Sequence, residues 1–226
     1  MSLRRWLFEN SLSLFFLSLF LVTLAAQSLA GQHAFNEQQV AHKSPPIGWL
    51  DYVTSSDFGR AVMENWQSEF LQFFLFIGAT VWLVQKGSNE SKQLDDVGLE
   101  SDQQQKVGAH APQNAPRWAK LGGLRQRIYE NSLLAVMLSI FLLSWFAQSL
   151  TGWRTFNEDQ HEHGERSVAW TTYVVKPSFW ESTLQNWQSE FLAVGTMVAF
   201  TIYLRQRGSP ESKPVGAPHD ETSTSG

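Results

Sequence analysis

Apolar residues in this chain are gathered into four blocks, Leu7–Leu29, Phe70–Val84, Ile128–Leu150 and Phe191–Leu204, with polar sequence filling the intervals. The first and third blocks are each long enough to cross a hydrocarbon core, which takes about 20 helical residues. The second and fourth reach that length only if the segment "NWQSEF" that precedes each one enters the membrane as well. The pattern predicts four helices, at about 6–29, 57–84, 127–150 and 178–204. The mean hydropathy of −0.22 would suggest a soluble chain, but it averages the apolar blocks with the polar intervals.

The blocks are two copies of one pattern. Displaced by 121 residues, positions 4–92 fall on 125–213 without a gap, and 38 of the 89 pairs are identical. Identity extends into the connections: "ENSL" at 9 and 130, "AQSL" at 26 and 147, "FNE" at 35 and 156, "NWQSEFL" at 65 and 186, and "GS.ESK" from Gly87 and Gly208. Self-similarity of this kind marks a tandem duplication. The expected organisation is a first membrane repeat at 1–92 with its outer loop at 30–56, then a flexible linker at 93–124. A second repeat at 125–207 has its outer loop at 151–177, and a disordered tail occupies 208–226. "SFWE" (Ser178–Glu181) fits a capping box opening the fourth helix, and Asp57 holds the equivalent position in the first copy. The linker is rich in Gln, Asp, Gly and Pro and has no apolar period, a composition that does not build a core.

Charge orients the repeats. Of the 17 Lys and Arg residues, 12 lie in 1–6, 85–127 and 205–226, and 5 lie in the two loops and the helix starts beside them. The positive-inside rule puts both termini and the linker in the cytoplasm and both loops outside. Each copy crosses twice, so the copies run parallel, related by a pseudo-two-fold axis along the membrane normal. Trp66 and Trp187 fall at the outer interface, and Trp6, Trp82 and Tyr203 at the inner one. Arg4, Arg5 and "SLAG" resemble a secretion signal, but the apolar run is about twice a signal core. The same pattern also recurs at Ser149–Gly152, so the segment is expected to remain as a membrane helix.

Composition removes several kinds of chemistry. A net charge of −4 offers no nucleic-acid surface, and with no cysteine there is no disulfide, thiolate metal site or cysteine nucleophile. No phosphate loop, nucleotide fingerprint or Ser-His-Asp arrangement occurs, and no cofactor is expected.

"GWRTFNEDQHEHGE" (Gly152–Glu165), "NWQSEFL" and "QRGSPESK" (Gln206–Lys213) resemble a bacterial membrane-protein family known as a domain of unknown function, typically a tandem two-helix unit. The resemblance spans nearly the whole chain outside the linker and tail. The first copy keeps Phe35, Asn36, Glu37, Gln39 and His42 but lacks the acidic residues that follow in the second. The resemblance implies a bacterial cytoplasmic membrane and no particular activity.

Three constellations could carry chemistry. Glu69 and Glu190 lie one turn below the outer tryptophans, where an ionised carboxylate needs a partner, a proton or water. Asn65 and Asn186 sit one turn away on the same helical face, and Gln27 and Gln148 end their helices at similar depth. These six residues form a candidate intramembrane polar cluster, expected to lock helix pairs and alternatively to bind a proton or cation. His161 and His163, beside Asp159, Glu162 and Glu165, are weak metal candidates. The first copy has Val40 opposite His161. "FNE" is expected to fix the loops, with Asn and Glu side chains bonding local backbone. Polar ends joined by an apolar middle on the first and third helices give no continuous polar track. The expected fold is an all-α membrane bundle of four transmembrane helices. The expected function is non-enzymatic, structural or accessory to a membrane complex, and the alternative is a small transporter or proton-coupled ion pathway. The expected partners are the bilayer and a membrane protein or a second copy of the chain.

Overall fold

The computed structural model describes residues 2–222, so the end of the tail expected at 208–226 lies outside the described residues. Among the described residues the chain is helical with no strand. In chain order the elements are α1 (Leu3–Glu9), α2 (Ser11–Ala41), α3 (Trp49–Val53), α4 (Ser56–Trp82), a 3-10 turn at Gly108–His110, α5 (Arg117–Lys120), α6 (Gly123–Glu130), α7 (Ser132–Glu162), α8 (Trp170–Tyr173) and α9 (Pro177–Tyr203). Two of these, α2 and α7, are long and apolar enough to cross a membrane. α4 and α9 run for 27 residues each, but their first halves carry the polar "NWQSE" segments.

The first long helix differs from the expected span of about 6–29. It breaks at Asn10, whose side chain donates to the Trp6 carbonyl at 2.8 Å, and Asn131 repeats this on the Arg127 carbonyl at 2.8 Å. Beyond the break α2 continues to Ala41 and α7 to Glu162, consuming much of the expected outer loops. Gln and Glu are good helix formers, so the helix outlasts the apolar run that marked it in the sequence. Both helices stop in the same way. Ser44 N–H bonds the Gln39 carbonyl and Lys43 N–H that of Val40, while Glu165 and Gly164 bond Gln160 and His161. The turning residue is left-handed in each, Lys43 at φ 61° and Gly164 at φ 72°. These are Schellman caps.

The fourth helix also begins differently. Pro177 opens α9, and Lys176 at the cap position makes no side-chain cap bond, so the capping box of Ser178 and Glu181 is not formed. Proline fits the first helical position because its missing N–H would have had no partner there. In the first copy Ser55, not Asp57, caps α4, its hydroxyl accepting from Phe58 N–H at 3.3 Å. The segment expected as a linker, 93–124, carries turns, the 3-10 turn and α5.

The chain divides into two compact units, one of residues up to Val62 with Ser149–Val168, the other of Met63–Gln148 with the chain from Ala169 onward. Burial along the long helices favours polar positions, with Leu71, Phe141 and Phe179 the apolar side chains buried beside them. Buried positions include Ser28, Gln67, Ser68, Ser144, Gln148, Ser149, Thr155, Thr183 and Thr201, while Leu, Phe and Val side chains such as Leu12, Phe15, Val22, Leu143 and Leu192 are exposed. Water-soluble cores are built the other way round. Small and polar residues inside with apolar residues outside is how helices pack when the surroundings are lipid.

Candidate functional site

In the first unit, "FNE" builds a clamp twice. Asn36 lies on α2 eleven residues before Ile47. Its Oδ1 accepts from Ile47 N–H at 2.8 Å and its Nδ2 donates to the Ile47 carbonyl at 3.0 Å. Asn157 grips Val168, the counterpart of Ile47, through the same atoms at 2.8 and 3.1 Å. A third donor reaches each carbonyl, Gln32 Nε2 at 3.0 Å and Trp153 Nε1 at 2.7 Å, again at equivalent positions. The asparagines thus bond local backbone as expected from the sequence. The glutamates do not: Glu158 Oε2 accepts from the Ser56 hydroxyl at 2.8 Å.

Beneath the first clamp Tyr52 is buried between Phe35 and Phe58, with ring centroids 5.8 and 5.5 Å away. Burial, then the nearby Asp57 charge, raises its phenol above the usual range. The hydroxyl rests on Gly31, where an added Cβ would stand 2.2 Å from it. Beside this core lies an open polar cleft of about 440 Å³ with Gln39, Asp57, Arg154, Glu158 and Glu162 among its lining residues. His42 Nδ1 lies 3.2 Å from Glu162 Oε2 at its edge. Sequence reasoning did not assemble this cleft, because its walls come from both copies.

In the second unit, "NWQSEFL" from one copy meets its double. Gln67 is fully buried, and its Oε1 accepts from Trp187 Nε1 at 2.6 Å, while its Nε2 donates to the Glu64 carbonyl at 3.1 Å. Ser182 donates to Glu64 Oε1 at 2.7 Å. Trp187 also joins an aromatic cluster with Phe141 and Trp145, and Trp145 stacks on Phe179. Thr183 has no exposed surface, and its hydroxyl bonds none of the described residues.

The six residues of the expected polar cluster are distributed unevenly. Gln148 is buried, Asn186 and Glu190 are half-buried, and Gln27, Asn65 and Glu69 are exposed. Asn186 Nδ2 donates to the Ser182 carbonyl of its own helix at 2.9 Å. Neither Glu69 nor Glu190 accepts a hydrogen bond from a described residue. In the first copy the motif's inward residues are Gln67, Ser68 and Leu71. The weak metal candidates are engaged locally: His161 Nε2 meets the Ser167 hydroxyl at 2.7 Å, and His163 Nδ1 the Asp159 carbonyl at 2.7 Å. Among the described residues no three His, Cys, Asp or Glu side chains gather as a metal set.

The "GS.ESK" loops close α4 and α9 with one bonding scheme. Ser91 Oγ accepts from Gln85 N–H at 2.8 Å and Ser212 Oγ from Gln206 N–H at 2.9 Å. Ser88 and Ser209 accept from Glu90 and Glu211 N–H at 3.1 and 3.2 Å. The turns pivot on Gly87 and Gly208, at φ 85° and 82°. The loops meet through equivalent positions, Asn89 Nδ2 donating to the Pro210 carbonyl at 3.2 Å. Burial, then the Glu211 charge, holds the Glu90 carboxyl above the usual range. Lys213 is 1% exposed and donates to the carbonyls of Pro218, His219 and Glu221 at 3.0, 3.1 and 2.9 Å.

The fold defines a class: an all-helical chain with two helices long and apolar enough to span a bilayer and hydrogen-bonded joints recurring at a fixed sequence offset. A family model described as a domain of unknown function (DUF6766) matches residues 3–224, and the chain belongs to that family. No curated protein and no solved structure matches it.

Proposed function

We propose that this chain is a non-enzymatic multi-pass protein of a bacterial cytoplasmic membrane, a structural component or accessory of a membrane complex. Its four long helices, α2, α4, α7 and α9, cross the bilayer as two parallel repeats about a pseudo-two-fold axis along the membrane normal, with both termini cytoplasmic. The observation that supports this reading is the burial along the long helices, where Ser, Thr and Gln outnumber the buried Leu71, Phe141 and Phe179 and many Leu, Phe and Val side chains are exposed. The repeated side chains also spend their polar groups on the chain itself, in the asparagine clamps and the Gln67–Trp187 bond. Single cysteines at Gln38 and Asp159 are expected to react with a membrane-impermeant thiol reagent in intact spheroplasts, and one at Ser101 only after lysis. Labelling of one loop without the other would defeat the parallel arrangement.

A proton-coupled pathway is the second reading. It is favoured by Glu69 and Glu190, carboxylates at equivalent positions of the two copies, to which no described side chain donates a hydrogen bond. Proteoliposomes decide between the two. The scaffold reading expects no flux driven by a pH gradient, and it fails if the wild-type protein conducts one that Glu69→Gln abolishes.

A further inference from the structure

The short helix α6 has a construction that the joints above do not explain. At about 100° per residue, Leu124 and Ile128 form one stripe, with Arg125 and Arg127 about 80° to either side of it. Leu124 is 73% exposed and Ile128 50%, and both arginines are exposed. On the opposite face Gln126 alone is half-buried, its Nε2 donating to Glu130 Oε1 of the same helix at 2.6 Å and its Oε1 lying 3.7 Å from where a Cβ on Gly108 would stand, while Tyr129 and Glu130 are exposed. α5 continues the exposed character with Arg117, Trp118, Lys120 and, just past its end, Leu121.

The same helix occurs in the first copy. On α1 the stripe is Leu3 and Leu7, flanked by Arg4 and Trp6, and an Arg5–Glu9 ion pair at 2.6 Å stands where Gln126–Glu130 stands in α6. Each ends at the asparagine break described above, immediately before a helix long enough to span a membrane.

Charge identifies the surface that covers this face. The α5–α6 segment, residues 117–130, holds four cations and one acid, Glu130, whereas 93–116 hold Asp95, Asp96, Glu100 and Asp102 against one lysine. An exposed apolar stripe bordered by arginines suits the boundary between acyl chains and headgroups, where the stems lie along apolar surface and the guanidinium groups reach phosphate. We propose that the α5–α6 segment seats in the headgroup layer of the cytoplasmic leaflet and binds anionic phospholipid through Arg125 and Arg127, with Arg117 and Lys120 in support. This rests on the membrane reading above and adds a lipid class to it.

The test uses the full-length protein reconstituted into nanodiscs of phosphatidylcholine alone or with added phosphatidylglycerol, followed by thermal unfolding. Phosphatidylglycerol is expected to raise the midpoint, and Arg125→Gln/Arg127→Gln is expected to lose half of that rise or more. Salt at about 0.5 M, where the screening length falls to roughly 4 Å, is expected to suppress it as well. Arg166→Gln, a charge change in the opposite loop, is expected to keep the full rise. If the double variant does not fold, Arg117→Gln/Lys120→Gln serves, with a smaller loss expected. Equal midpoints in the two lipids, or a rise that survives both double variants, overturns the proposal while leaving the membrane reading intact. Failure to enter nanodiscs of either composition overturns the membrane reading itself.

Discussion

The indole of Trp187 donates its N–H to the side-chain oxygen of Gln67 at 2.6 Å, joining one copy of the repeated "NWQSEFL" motif to the other. Gln67 has no exposed surface, whereas Gln188, its counterpart in the second copy, is exposed. The two copies of the motif therefore have different roles, one supplying the acceptor and the other the donor. Hydrogen bonds between membrane helices average about 0.6 kcal/mol and reach about 1.7, and a bond to a fully buried acceptor belongs at the upper end. A double-mutant cycle of Gln67→Leu and Trp187→Phe is expected to show coupling of about 1–2 kcal/mol. Gln188→Leu is expected to be close to neutral. Equal losses at Gln67 and Gln188 in thermal unfolding would contradict the asymmetry.

The asparagine clamps make a paired prediction, because each copy is a control for the other. Asn36→Ala and Asn157→Ala each remove a donor and an acceptor from one residue's backbone, leaving that backbone short of partners at a cost of about 1–3 kcal/mol. Asn157→Asp keeps the acceptor for Val168 N–H but faces the Val168 carbonyl with an oxygen. It is expected to fall between wild type and alanine. Protease sensitivity of 42–48 and of 163–169 reports the two clamps separately, and a loss at the unmutated one would show that they are not local devices.

How much of this was legible in the sequence depends on which physical signal each feature left. The 121-residue offset was visible because identities at Asn36, Gln67, Gly87 and Ser91 recur in the connections and not merely in apolar runs. The inward face of α4 was not. In water the apolar stripe marks the buried side of a helix, but α2 and α4 carry apolar residues on their exposed faces too, and the buried face of α4 is marked by Gln67 and Ser68 together with Leu71. Reading polar depth alone pointed to Glu69 and Asn65, one or two positions away and turned outward. Polar side chains at helical spacing within an apolar run mark such a face, as Ser144, Gln148 and Thr155 do on α7. Helix ends were misjudged for a related reason: hydropathy stops at Leu29, whereas helix propensity carries α2 on to Ala41.

The two Schellman caps differ by one residue, and that residue is testable. Lys43 turns α2 in the left-handed region at φ 61°, where Gly164 does the same for α7. A side chain there costs about 1–2 kcal/mol relative to glycine. Lys43→Gly is expected to stabilise the protein by about 1 kcal/mol and Gly164→Lys to destabilise it by a similar amount. Changes of the same sign in thermal unfolding would show that the caps are not equivalent.

The Glu90 carboxyl gives a pH dependence with a definite sign. Its folded value is raised, by burial first and by the Glu211 charge second. A carboxyl raised in the folded state binds its proton more readily there than in the unfolded chain, so the penalty of ionising it is fully present above the folded value. That penalty disappears as pH falls to the ordinary carboxylate value, about 4.3. Glu90→Gln is expected to raise the unfolding midpoint near neutral pH and to have no effect near pH 4. A gain independent of pH would place its origin in packing rather than in the charge.

Lys213 and Lys92 end the two "GS.ESK" loops, but they hold different things. Lys213 is buried, with its ammonium directed to the carbonyls of Pro218, His219 and Glu221, so it ties down the chain that follows. Among the described residues Lys92 reaches the Gly98 carbonyl and Glu100, at 3.0 Å each, and it stays partly exposed. Lys213→Met keeps the aliphatic stem and removes all three donors at once. The freed carbonyls then need water, which they obtain only if 214–222 lifts away from the end of α9. That release also withdraws Thr222 from Gly87 N–H and Ala217 from Arg205. Lys213→Met is therefore expected to expose 214–222 to limited proteolysis while the rest of the chain stays resistant, and Lys92→Met is expected to leave the tail protected. A tail equally resistant in both variants would mean that Arg205 and His219 anchor it without the lysine.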